Sequence, residues 1–166
     1  MNKMNLLIRR PKRLLKRFFS NEIGKFQTEV AITREIDEKI LEQALCMDPK
    51  LRNSISLELA KKQHEDLIQA IKNCGVKTIY TLPSNGFPDS VFIEDTAVIA
   101  NNTVLISRPG AMERRGETEA VKSLFNERFS HLTMKEVMNG TLDGGDVLFT
   151  GCTVVLCFNF SGLIIL

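Results

Sequence analysis

The chain has no tryptophan, one tyrosine and only two histidines, His64 and His131. Its four cysteines (Cys46, Cys74, Cys152, Cys157) show no CxxC spacing, so donors for a zinc site are too few and wrongly placed. A disulfide framework is not needed either, because 43% hydrophobic residues supply a core, and a reducing compartment fits this cysteine usage. No apolar run near the amino terminus is long enough for a secretory signal. Acids are missing from residues 1–20, and all charge is missing from residues 147–166. The second stretch has the length of a membrane span, but Thr150, Gly151, Thr153, Asn159, Ser161 and Gly162 dilute it, so no membrane anchor is expected.

What is present describes one ordinary domain. At 166 residues the chain would bury roughly 70% of its unfolded surface. The net charge of +2 is unevenly spread: Lys3, Arg9, Arg10, Lys12, Arg13, Lys16 and Arg17 lie in the first twenty residues, and +2 less these seven leaves −5 for the rest. An acidic body gives no ground for a nucleic-acid partner. The first 25 residues form a basic arm, and its Arg-rich, Leu- and Phe-interleaved start ending Arg17-Phe18-Phe19-Ser20 is a candidate mitochondrial presequence. The alternative is a disordered basic arm, with Pro11 interrupting any long helix. Location is therefore expected to be cytoplasmic, or mitochondrial if the arm is read as a presequence.

Periodicity predicts alternating strands and helices. Val30–Arg34 reads as a strand, with a polar helix carrying Ile40, Leu41, Ala44 and Leu45 on one face. Ala60, His64, Leu67, Ile68 and Ile71 make the stripe of a helix over 56–74 that Gly75 ends. His64 on this stripe reads as a packed structural histidine. A strand over 76–82 follows, then turn chemistry at Ser84-Asn85-Gly86. Strands over 91–100 and 103–107, joined by Asn101-Asn102, read as a type I′ hairpin. A helix over 113–129, with Ala120, Val121, Leu124 and Phe125 inward, and a strand over 132–137 complete the pattern. Ile32-Thr33-Arg34 and Ile106-Ser107-Arg108 each end a strand before a helix and another strand, a faint internal repeat of α/β units.

Two acidic segments stand out. Pro88-Asp89-Ser90-Val91-Phe92-Ile93-Glu94-Asp95 sets three carboxylates in an apolar strand pattern, and Thr141-Leu142-Asp143-Gly144-Gly145-Asp146 repeats the theme. A buried carboxylate costs several kcal/mol unless a cation or hydrogen-bond donors meet it. Asp89, Glu94, Asp95 and Asp143 are therefore candidates to line a pocket for a planar cation such as a guanidinium, whose fork of donors matches carboxylates in pairs. The alternative is solvated acids at strand ends. Asp143–Asp146 lacks the ligand count of a calcium loop, and its Gly-Gly pair more simply permits a close backbone approach.

Residues 88–95, Ile106-Ser107-Arg108-Pro109-Gly110-Ala111, Arg114-Arg115, Thr141–Gly151 and the Gln63-His64 helix together resemble the dimethylarginine dimethylaminohydrolase family over about residues 30–151. The resemblance implies a pentein fold, a five-bladed α/β propeller. It also implies hydrolysis of asymmetric dimethylarginine or monomethylarginine to citrulline and an amine, without metal or cofactor. In such chemistry a thiolate attacks the guanidinium carbon, a histidine moves protons and carboxylates hold the substrate. By position, Asp95 and Asp143 would grip the guanidinium, Asp89 would meet the α-amino group and Arg114 the α-carboxylate. Glu94 would support the site, and Leu45 would belong to its lid loop.

The resemblance stops after Gly151. Residues 152–166 form an apolar divergent tail, in which Ser161 aligns with the family's second substrate arginine. The family's catalytic histidine and nucleophilic cysteine align beyond Leu166, and neither His131 nor Cys152 nor Cys157 matches their context. The expectation is an incomplete propeller of strand–helix–strand units over 26–151, carrying part of a methylated-arginine pocket and inactive alone. The alternative is a non-catalytic module that binds arginine-like ligands or partner chains. Self-association through unpaired strand edges is a further expectation. So is poor compensation of the buried acids, which predicts that Asp95→Asn leaves stability unchanged or raised.

Overall fold

The computed structural model describes residues 29–45 and 54–149, with the backbone of 154–157 and 163–165. The basic arm over 1–25 lies outside the described residues, as does most of the remaining tail. The architecture is α/β. Strand β1 (Val30–Arg34) pairs in parallel with β2 (Thr78–Leu82), Val30 opposite Thr78. The crossover contains a short helix α1 (Ile40–Gln43) and the long helix α2 (Leu57–Asn73). A second unit consists of the antiparallel hairpin β3 (Ala97–Ala100) and β4 (Thr103–Ile106), then helix α3 (Thr118–Arg128), then β5 (Thr133–Glu136) parallel to β4. Strands β6 (Val147–Phe149), β7 (Val154–Cys157) and β8 (Leu163–Ile165) form an antiparallel sheet, so part of the apolar tail pairs onward from β6. Among the described residues these are three separate sheets and no closed barrel.

Local chemistry accounts for most boundaries. Ser56 caps α2 by accepting the Leu59 N–H at 3.2 Å, and Gly75 ends it with φ +98°. Ser56→Ala is expected to cost about 1 kcal/mol in a denaturation midpoint, because the cap is solvent-exposed and its loss leaves one helix N–H to water. The Asn101-Asn102 hairpin forms with Ala100 opposite Thr103, but only Asn101 takes a positive φ (+52°). The turn is therefore not type I′, which needs both.

Val104, Ile106, Val121 and Phe125 form the buried centre, packed by Ile32, Leu82, Ile93, Ala97, Phe129, Leu132 and Met134. The inward face of α3 follows the sequence, with Val121, Leu124 and Phe125 buried. The stripe of α2 is only partly covered: no residue of the helix is fully buried, and Leu67 is 55% exposed. The His64 Nε2 nitrogen is shielded from solvent without a hydrogen-bond partner, facing a groove of about 460 Å³ with Glu35, Lys61 and Glu65. No helix among the described residues is long and apolar enough to cross a membrane.

Two elements differ from the sequence reading. The strand predicted over 91–100 starts only at Ala97, and Ile93–Thr96 is a 3-10 turn. The Thr96 hydroxyl donates to the Ile93 carbonyl at 2.6 Å and the Asp95 N–H donates to the Phe92 carbonyl at 3.2 Å, closing the turn. The apolar run Val91-Phe92-Ile93 mimics a strand in sequence, yet Phe92 is exposed. The helix predicted over 113–129 likewise begins as a 3-10 segment, Met112–Glu117, before α3.

Candidate functional site

The two acidic segments meet between the units. Asp89, 3% exposed, follows Pro88, and its Oδ2 accepts the Leu45 N–H at 2.9 Å. Leu45 itself is exposed, one residue beyond the buried Ala44. Asp95, on the 3-10 turn, accepts the Gly145 N–H on Oδ1 at 3.1 Å. Asp143 Oδ2 accepts the Gly110 N–H at 3.3 Å, just after β4. Glu94 is exposed, and its carbonyl oxygen lies against Gly144 so closely that a Cβ there would collide with it. The Gly-Gly pair therefore serves a close approach between two stretches of this chain.

Arg114 sits at the centre of this arrangement. Its Nη1 donates to Asp95 Oδ2 at 2.8 Å, and its Nε and Nη2 fork onto the two carboxylate oxygens of Glu117, each at 3.0 Å. Nη2 also reaches the carbonyls of Asp89 at 3.3 Å and Phe92 at 3.4 Å. Burial works against the Arg114 charge, but its hydrogen bonds to Glu117 and Asp95 outweigh it and hold the guanidinium protonated more firmly than usual. Glu117 is 1% exposed. Burial pushes its carboxyl above the usual range, opposed by Arg114 and then by Arg34, with Asp89 adding repulsion.

Arg34, fully buried at the end of β1, completes the chain of contacts. Its Nε donates to the Pro83 carbonyl at 2.9 Å, Nη1 to the Glu117 carbonyl at 2.7 Å and Nη2 to the Ser84 carbonyl at 3.4 Å. One guanidinium thus ties the ends of β1 and β2 to the start of α3.

Of the six sequence-predicted residues, Leu45 and Asp89 are joined by one bond, Asp95 and Arg114 by another, and Asp143 lies beside the glycines that meet Asp95. Glu94 takes no part in these bonds, and its carbonyl oxygen packs against Gly144. The expectation of poorly compensated acids is overturned for Asp95, because Arg114 pairs with it inside the fold. Glu117 and Arg34 join the site although the sequence pattern does not single them out for it. Glu117 stands three residues after Arg114, a helical-neighbour spacing that is the one local signal for it, and Arg34 stands out in sequence only as the end of a repeated strand. Neither the polar groove on α2 nor an apolar cavity of about 270 Å³ bordered by Val30, Ile99 and Phe125 is lined by the six residues.

No family model matches the chain. The dimethylarginine dimethylaminohydrolase of Pseudomonas aeruginosa is 35% identical over 92 residues, and that of Streptomyces coelicolor 39% over 103. A solved structure of the Pseudomonas enzyme, a cysteine-to-serine mutant complexed with citrulline, superposes with a TM-score of 0.63 at 27% identity over 76% of this chain. The chain is similar to the amino-terminal part of the dimethylarginine dimethylaminohydrolases. It spans 36% and 40% of the lengths of those two curated relatives, or 55% and 62% of its own, and 48% of the solved dimethylarginine dimethylaminohydrolase chain. The amino-terminal domain of the cyanobacterial arginine dihydrolase ArgZ, solved bound to its substrate, shares the fold with a TM-score of 0.58 at 26% identity, over 71% of this chain and 44% of that one.

Proposed function

We propose that this chain carries part of the pocket of a dimethylarginine dimethylaminohydrolase-type hydrolase and binds N-methylated arginine without turning it over alone. The observation that carries this reading is the meeting of the two acidic segments at Gly144 and Gly145, with Asp89, Asp95 and Asp143 each anchored by a backbone N–H. An anchored carboxylate loses little rotamer entropy on binding a ligand donor. In this reading Asp95 and Asp143 address the guanidinium, Asp89 the α-amino group and Arg114 the α-carboxylate. Glu94 supports the 3-10 turn, and the Leu45 segment lies over Asp89. The two strand–helix–strand units act as the first blades of an incomplete propeller.

The placement of the imidazoles supports inactivity of the chain alone. Both histidines of the chain lie apart from the acidic cluster: His64 faces the α2 groove, and His131 packs edge-on to Phe129. A proton-transfer group must come within hydrogen-bond reach of the reacting atoms. Titration calorimetry with asymmetric dimethylarginine is expected to give binding heat that Asp89→Asn and Asp143→Asn each reduce, and a citrulline assay is expected to read zero. Citrulline formation by the purified 166-residue chain would overturn the inactivity. Absence of any binding heat would overturn the pocket.

A further inference from the structure

Glu117 is buried, charged and outside the set of groups assigned to ligand above, so its position needs a reason of its own. A carboxylate at 1% exposure is costly unless paired, and here it is flanked by two guanidiniums. Its side chain grips Arg114 through a two-point fork, the geometry that fixes a guanidinium plane most strictly. Its main-chain oxygen is held by Arg34 from the other strand–helix–strand unit, 83 residues away in sequence.

The donor inventory of Arg114 is what gives this a functional meaning. A guanidinium has five N–H donors. Nε spends its one on Glu117, and Nη2 divides its two among Glu117 and the carbonyls of Asp89 and Phe92. Nη1 spends one on Asp95. Among the described contacts one Nη1 N–H remains, on a side chain that is 14% exposed.

We infer that Glu117 is a positioning residue, fixed by Arg34, that locks Arg114 in the one orientation that offers a single N–H to a ligand carboxylate. This deepens the proposed pocket and rests on that reading. The arginine then acts as a directional donor rather than a mobile cation, because its fork is already consumed inside the fold. The first unit contributes to ligand selection through Arg34 without touching ligand.

The test uses the full chain and two probes, asymmetric dimethylarginine and its α-carboxamide, which differ only at the group Arg114 would meet. Glu117→Asp keeps the charge but shortens the reach, so it breaks the fork while preserving the electrostatics. Wild type is expected to bind the acid more tightly than the amide. Glu117→Asp is expected to weaken the acid by about tenfold and to leave the amide within about twofold, the scale of one charge-assisted hydrogen bond. Equal weakening of both probes means a structural role only and overturns the inference, as does no weakening of either. Arg34→Lys is expected to shift the same ratio. If it fails to fold, Glu117→Asp decides alone.

A second readout needs no ligand. The Arg114 Nε–H is expected to give a slowly exchanging NMR resonance that Glu117→Asp broadens or speeds. Identical exchange in both proteins overturns the positioning role. If wild type binds neither probe, the proposed pocket fails, and the resonance still decides whether Glu117 holds Arg114.

Discussion

Asp95→Asn is expected to lower the unfolding free energy by about 2 kcal/mol, between an exposed ion pair worth up to about 1 and a broken buried pair costing about 3–5. Asp95 is placed between these limits, with its side chain 19% exposed and that of Arg114 14% exposed. The carboxylate accepts from two directions, Gly145 on one oxygen and Arg114 on the other. An asparagine has one acceptor oxygen, so either its amide nitrogen faces the guanidinium or the Gly145 N–H loses its partner. Both outcomes put donor against donor. The check is a shift of the denaturant midpoint at unchanged slope. An unchanged or raised midpoint would restore the sequence expectation of an unpaired, destabilising charge.

Gly144→Ala is expected to cost more, about 3 kcal/mol, and to separate the two acidic segments. A Cβ at Gly144 runs into the Glu94 carbonyl oxygen, with the Ala97 oxygen at 3.2 Å and the Asp95 carbonyl carbon at 3.3 Å behind it. All three are backbone atoms, so no side-chain rotamer relieves the overlap. The 3-10 turn has to retreat from the Gly144–Asp146 turn, and the Gly145 to Asp95 bond lengthens with it. Gly140→Ala is the control. That glycine has open space around it but φ +75°, so the cost is left-handed backbone strain of about 1 kcal/mol. Similar losses at both positions would show that close approach at Gly144 is not what joins the segments. Calorimetry on Gly144→Ala is expected to show weakened dimethylarginine binding, whereas Gly140→Ala is expected to retain it.

Much of the architecture was legible because its signals are local. Gly75 at the end of α2, the Asn101-Asn102 hairpin and the inward face of α3 each depend on residues within a few positions of one another. The acidic segments were legible for the same reason, since carboxylates within apolar sequence are conspicuous. Residues 91–96 were misread because an apolar triplet beside two acids has the same pattern in a strand and in a 3-10 turn. The turn places the Asp95 N–H on the Phe92 carbonyl and frees the side chain to meet Gly145 and Arg114, about 50 and 19 residues away.

By itself, the sequence determined that the chain alternates strands and helices, and it singled out Asp89, Glu94, Asp95 and Asp143 as acids in need of partners, of which Glu94 is exposed. Tertiary structure alone decided who those partners are. Glu117 and Arg34 are ordinary charged residues in sequence, and their roles arise only when β1 and the start of α3 come together. Charge compensation acts through space at about 3 Å, while sequence patterns register neighbours along the chain. A hydrogen-bond network spanning 83 residues has no period to betray it.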